Sequence, residues 1–179
     1  MFTVHAGEYL IGSYIEDEFK KYRVWVPSKD TGIDLLVTNS KNSKAVSLQV
    51  KFSKDYTVTH MKAVYQNKFK AWGWWTLNSD KIKKSEADLW VFVMQSFQQK
   101  TIECIVVPPR VLLQRLRKIH GKKKLIQSYL WVTDNNRCWE TRRLKKADRI
   151  LIANNLYSND IRNFTAYLNN WSSLKKKLK

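Results

Sequence analysis

Residues 31–52 read TGIDLLVTNSKNSKAVSLQVKF, and this stretch restricts the fold more than any other. Two apolar runs flank the polar loop NSKNSK, which is the pattern of an antiparallel hairpin. Strand side chains alternate, so Val46, Leu48, Val50 and Phe52 share one face while Ser47, Gln49 and Lys51 share the other. Asp34 is opposite in phase to Ile33, Leu35 and Val37. A symmetric register pairs Thr38 with Ala45 and carries Asp34 across from Gln49, about 5 Å away, give or take a slip in register. Gln49 and Lys51 are then roughly 7 Å apart at Cβ. One polar cluster on one sheet face is predicted: Asp34, Gln49 and Lys51.

That cluster has chemical sense. Mg²⁺ takes hard oxygen ligands and keeps several waters. Asp34 can supply a carboxylate, Gln49 a side-chain carbonyl and Val50 its backbone carbonyl, with Mn²⁺ able to substitute. Lys51 beside the metal can orient a water and offset charge on a phosphate. The competing reading is plain: Asp34 caps a turn after Gly32, and Gln49 and Lys51 face solvent.

Upstream, Ala6–Lys21 reads as a helix with Leu10, Ile11, Tyr14, Ile15 and Phe19 on one broad face. Glu8 sits at the edge of that face, where an acid costs energy unless a metal or its waters partner it. The alternative is a first-turn acid favoured by the helix dipole. Glu8, then Asp34, then Gln49-Val50-Lys51 resembles the order of the PD-(D/E)XK nuclease superfamily. The Gln-x-Lys form is most similar to its Mrr-type branch, and Ile33 stands where the name-giving proline would be. The resemblance spans about residues 5–110. It implies an α/β, restriction-endonuclease-like core, a mixed central sheet flanked by helices. It also implies a Mg²⁺-dependent endonuclease hydrolysing DNA phosphodiesters, with Asp34, Gln49, Val50 and Glu8 at the metal and Lys51 at the water and phosphate. A catalytically silent nucleic-acid-binding protein of this fold, or an RNA-processing nuclease, would share the pattern. Two copies pairing to cut both strands is left open.

The rest of the chain reads as one domain over 1–179, with a basic extension from about 111. Strands are predicted in YRVWVP, ADLWVFVMQSF and TIECIVVPP, and a helix from Pro109 with Val111, Leu112, Leu116 and Ile119. A helix is expected over Thr59–Trp72. SYLWVT-DNN-RCWET reads as a hairpin and LKKADRILIANN as a short helix. Ser158 or Asn159 is expected to cap a last helix bearing Ile161, Phe164, Leu168, Trp171 and Leu178, with LKKKLK as its frayed end.

Charge points to the partner. The chain carries +18 overall, an excess that attracts polyanions, nucleic acid above all. Residues 1–40 hold six acids against four bases, whereas residues 110–149 hold thirteen Lys and Arg against three acids. Lys122, Lys123 and Lys124 in one loop, and Arg142, Arg143, Lys145 and Lys146 after CWET, are the candidates for the phosphate backbone. A ribosome-associated or membrane-surface protein would explain the charge as well. No apolar run is long enough to span a bilayer, the start lacks a signal-peptide pattern, and a cytoplasmic protein is expected. Cys104 and Cys138 read as buried free thiols. Among eight tryptophans, the WGWW group could stack on unpaired bases. Core packing is the commoner use, and Trp25, Trp90, Trp131 and Trp171 are read as core.

Overall fold

The structure is a computed structural model that describes residues 5–29, 32–53, 65, 67–96 and 100–179. Helix α1 (Ala6–Glu18) leads into β1 (Tyr22–Trp25), β2 (Leu35–Asn39) and β3 (Ala45–Ser53), which form an antiparallel meander. The register across the β2–β3 loop pairs Thr38 with Ala45 and Leu35 with Leu48, as the alternation predicts. Further on, β5 (Leu89–Ser96) returns parallel to β3, and β6 (Thr101–Val107) closes the sheet antiparallel to β5. The strand order is β1-β2-β3-β5-β6. It is a mixed sheet in an α/β protein. Residues 89–94 of β5 are buried on both faces, as expected of a central strand.

A second sheet lies within the crossover and beyond it. Strand β4 (Phe69–Asn78) pairs antiparallel with β7 (Leu125–Thr133), and β7 with β8 (Cys138–Glu140). Between β4 and β5 stands a one-turn helix, α2 (Ser79–Lys83), while α3 (Pro109–His120) joins β6 to β7. Alternation sorts the central strands between two cores. Val46, Leu48, Val50, Leu89, Val91 and Val93 pack with Ile11 and Ile15 of α1 and with the C-terminal helix. Trp90, Phe92, Met94, Ile105 and Val107 face the second sheet and Leu112, Leu113 and Leu116 of α3. The outer face of the second sheet carries Phe69, Trp72, Trp131 and Trp139 under α4 (Lys146–Ala153). Trp72 and Trp131 stack there, centroids 4.8 Å apart. A buried carboxylate ties these layers together. Glu140 ion-pairs with Arg162 at 2.7 Å and accepts from the backbone N–H of Tyr129 and Arg142, with His120 at 3.2 Å.

Several expectations fail, each for a physical reason. The helix expected over Thr59–Trp72 is a strand from Phe69 onward, while residues 59–64 and 66 lie outside the described residues. Ala71, Trp75 and Leu77 alternate inward against Trp72, Trp74 and Thr76, and β7 supplies the partner that propensity alone does not reveal. The long final helix does not form. Asn159 accepts from the N–H of Arg162, and Asn163 from that of Thr165, so side chains take the donors that a helix would use. Backbone bridges then strap Leu168 to Ile105 and Asn163 to Trp139. Helix α5 (Ser172–Leu178) starts only after Asn170 accepts the N–H of Ser172. Its tail is packed instead of frayed: Leu174 and Leu178 are buried. Trp25 is not core. It lies on edge strand β1, half exposed, with its indole N–H donated to Thr38 Oγ1 at 3.0 Å. Of the WGWW tryptophans, Trp72 and Trp75 are buried and Trp74 is exposed. Cys104 and Cys138 are buried free thiols, and burial pushes both far above the ordinary thiol range. Among the described residues no helix is long and apolar enough to cross a membrane.

Candidate active site

Asp34 stands one residue ahead of β2, where its N–H still donates to the Leu48 carbonyl at 2.8 Å. The regular ladder ends at Leu35 and Leu48, so this bond falls one residue out of step with it, and the side chain of Asp34 still lies beside Gln49. Asp34 Oδ2 accepts two hydrogen bonds, from the Val50 backbone N–H at 2.6 Å and from the Gln49 side-chain amide. The Gln49 group facing Asp34 has to be its NH₂, because a carbonyl there would face a carboxylate. Gln49 is buried, and its Oε1 lies 3.7 Å from where a Cβ on Gly32 would stand. Gly32 has φ +81°, a conformation that favours glycine, so the turn that passes Gln49 is set by its backbone and not by lack of space.

Lys51 follows on the same face of β3, half buried, with Nζ 5.6 Å from the centroid of Trp90. That geometry is a cation–π contact. Trp90 is held in turn, since its indole N–H donates to Ser85 Oγ at 2.8 Å. Trp75 fixes the backbone on the other side by donating its indole N–H to the Lys51 carbonyl at 3.2 Å. Rigid aromatic neighbours thus limit where the ammonium can go.

Glu8 reaches the site from α1. It is the third residue of the helix, and its carboxylate accepts the His5 N–H at 3.1 Å in a capping box. Its helix-terminal role and its position at the site therefore coexist. Gly7 makes the approach possible, because a Cβ there would come within 2.7 Å of Phe52 Cβ on β3.

Glu8, Asp34, Gln49, Val50 and Lys51 all line one open cleft of about 1020 Å³. The lining continues with Asp80 and Lys81 of α2, Lys84 and Glu86 just after it, and Lys124 just before β7. Of the expected phosphate-binding residues, Lys124 reaches the cleft and Lys122 lines a neighbouring groove. Arg142, Arg143, Lys145 and Lys146 line neither. Arg142 donates to the Gln127 side chain on β7, and Lys145 and Lys146 are exposed where α4 begins.

Lys81, Lys84, Asp80 and Trp90 were not legible as site residues. One signal was available: Asn78 caps α2 by accepting from the N–H groups of Asp80 and Lys81, and NSDK is a helix-start pattern. What no pattern reveals is that the crossover brings this short helix opposite β3.

The donor set suits a hard cation. Asp34 and Glu8 carboxylates, the Gln49 carbonyl and the Val50 carbonyl are oxygens of the kind Mg²⁺ and Mn²⁺ take, and no soft ligand stands among them. Among the described residues no three His, Cys, Asp or Glu side chains gather as a ready-made metal site. The fit therefore depends on amide and backbone oxygens together with water. No family model matches the chain, and neither a curated protein nor a solved structure matches it.

Proposed function

We propose that this protein is a Mg²⁺-dependent endonuclease that hydrolyses DNA phosphodiester bonds, with a restriction-endonuclease-like core. The observation that carries the reading is the convergence of Asp34, Gln49, Lys51 and Glu8 in one cleft that Lys81, Lys84 and Lys124 also line. The element order supports it: a helix, an antiparallel meander and a fourth strand parallel to the third. The crossover departs from the family pattern, because it contains a strand of the second sheet and a one-turn helix.

Asp34, Gln49 and the Val50 carbonyl would hold the metal, and Glu8 would share its water shell. A bound Mg²⁺ or Mn²⁺ supplies Lewis-acid polarisation of the phosphate and a more acidic water. Lys51, steadied over Trp90, offsets the negative charge that grows on the phosphate oxygens during attack. Lys81, Lys84 and Lys124 hold the flanking phosphates against the cleft wall.

A second reading has its own observation. Asp34 Oδ2 is already occupied by two donors, which would stabilise a lone carboxylate in a protein that binds nucleic acid without cutting it. Supercoiled plasmid separates the two. Nicking or linearisation in Mg²⁺ or Mn²⁺, its loss in chelator, and its loss in Lys51→Ala and Asp34→Ala support the nuclease. Cleavage that survives excess chelator would rule the mechanism out. Equal activity in the variants would assign the cutting to a contaminant. Tight plasmid binding with no cleavage in either metal would favour the silent binder.

A further inference from the structure

We infer that duplex DNA is held by a second site, a basic groove between α2 and α3, and not by the Arg142–Lys146 cluster. The groove encloses about 720 Å³ and is lined by Lys83, Arg110, Arg117, Lys118 and Lys122, with no acid among the described residues that line it. It adjoins the candidate active cleft, because Ser85 lines both. None of these five cations enters an ion pair among the described residues.

Three arguments assign the ligand. The first is electrostatic. The cleft mixes four lysines with four acids, whereas the groove is of one sign. Unpaired like charges brought together destabilise a fold and are relieved by a polyanion. The second is the position of Arg110. It is the second residue of α3, where the helix dipole is positive and the first turn holds no acid. A cation there works against the helix, so helix stability does not account for it. Arg117 and Lys118, in the last turn, do suit the dipole, which makes Arg110 the telling residue. The third is the lining itself. Among the described residues no Trp, Tyr or Phe lines the groove, so these residues offer no platform for unpaired bases. Backbone contact with a duplex fits this surface, and single-strand stacking does not. Arg110 and Arg117 lie seven residues apart on one helix face, about 10 Å along the axis. That length spans about three phosphates of one strand.

The groove would lead the duplex toward Lys51, and only this orientation rests on the nuclease reading. Binding itself does not, so the test is made in chelator, where nothing is cut. The probe is a fluorescent duplex titrated by anisotropy between about 50 and about 200 mM salt. In Arg110→Gln/Arg117→Gln/Lys118→Gln the slope of log affinity on log salt should flatten by about 2.7, at about 0.9 per lost contact. Gln keeps helix propensity close to that of Arg and Lys. Lys83→Gln/Lys122→Gln, outside α3, should flatten it by about 1.8 and so stands independently of any damage to that helix. Replacing Arg142, Arg143, Lys145 and Lys146 with Ser should leave the slope near wild type. Wild-type slopes in both groove variants would overturn the inference, as would a loss confined to the four-residue variant. Better binding of single strand than of duplex by the wild type would overturn it too. A protein that binds through the groove yet cuts no plasmid would defeat the nuclease reading alone. Cleavage with unaltered groove-variant binding would defeat the groove alone.

Discussion

Gln49 and Asp34, fifteen residues apart in the chain, are joined across the β2–β3 pair by a hydrogen bond from the glutamine amide to the carboxylate. A glutamate at position 49 would reverse the sense of this contact. Two carboxylates would face each other in a part-buried site, and the Asp34 charge would lose a donor. On the proposed nuclease reading, Gln49 would hold a metal when one is bound, and it donates to Asp34 when none is.

Gln49→Glu should therefore destabilise the metal-free protein by about 1–3 kcal/mol, the usual cost of an unsatisfied or like-charged buried group. Divalent metal should reverse the effect if the proposed site holds it, since a cation would offset the repulsion between the two carboxylates. The melting temperature of Gln49→Glu should fall in chelator and then rise with Mn²⁺ by more than wild type does. Acid should also relieve the loss. A carboxylate pair shares a proton, its folded pKa is raised, and the penalty is present above that pKa and fades as pH falls through it. A Gln49→Glu protein as stable as wild type in chelator would remove this pair from the account.

Gly7→Ala tests how α1 presents Glu8. Alanine is the better helix former by up to about 1 kcal/mol. Its Cβ, however, would stand 2.7 Å from Phe52 Cβ and 3.4 Å from Val50 Cγ1. Phe52 Cβ is bound to the β3 backbone and has little room to yield, so overpacking should win by about 1–3 kcal/mol. The helix should also move off β3 and carry Glu8 out of the cleft. Lower stability in urea with weaker Mn²⁺ binding is expected. A more stable protein would show that α1 is looser on β3 than this packing requires.

Much of this arrangement is legible in the sequence where alternation is strict and partners are near. The pairing of Thr38 with Ala45 follows from the hairpin pattern, and it brings the Asp34 and Gln49 side chains together although the regular ladder ends one residue short, at Leu35 and Leu48. Legibility ends where distant segments decide. The strand of Trp72, Trp74 and Trp75 exists because β7 pairs with it, some fifty residues later. Trp25 resembles a core residue until β1 is known to be an edge. Residues 158–171 have an apolar face, yet local Asn side chains capture the N–H groups and the sheet edges bind the segment. Lys83, Arg110 and Lys122 come from three separate elements. Only topology assembles them.

Asp88 supplies a prediction about pH. It stands just before β5, accepts the N–H and hydroxyl of Ser47 on β3 at 2.9 and 3.0 Å, and receives Lys177 of α5 at 2.8 Å. One carboxylate thus ties two central strands to the last helix. Burial alone would raise its pKa, but the bonds from Lys177 and Ser47 outweigh burial and hold it below the ordinary carboxylate value. A depressed folded pKa means that the contribution is present above the unfolded value of about 3.9 and is lost as pH falls through the folded one. The Lys177 side chain is half exposed, so screening keeps the effect to about 1 kcal/mol. Asp88→Asn should be less stable than wild type by that amount near neutral pH, and the gap should close in acid. Urea unfolding of both proteins, from about pH 7 to about pH 2, measures it. Lys177→Met should raise the Asp88 pKa and shift the closing of the gap to higher pH, which separates the ion pair from the Ser47 bonds. A gap that stays constant over the whole range would mean that Asp88 acts through shape and not through charge.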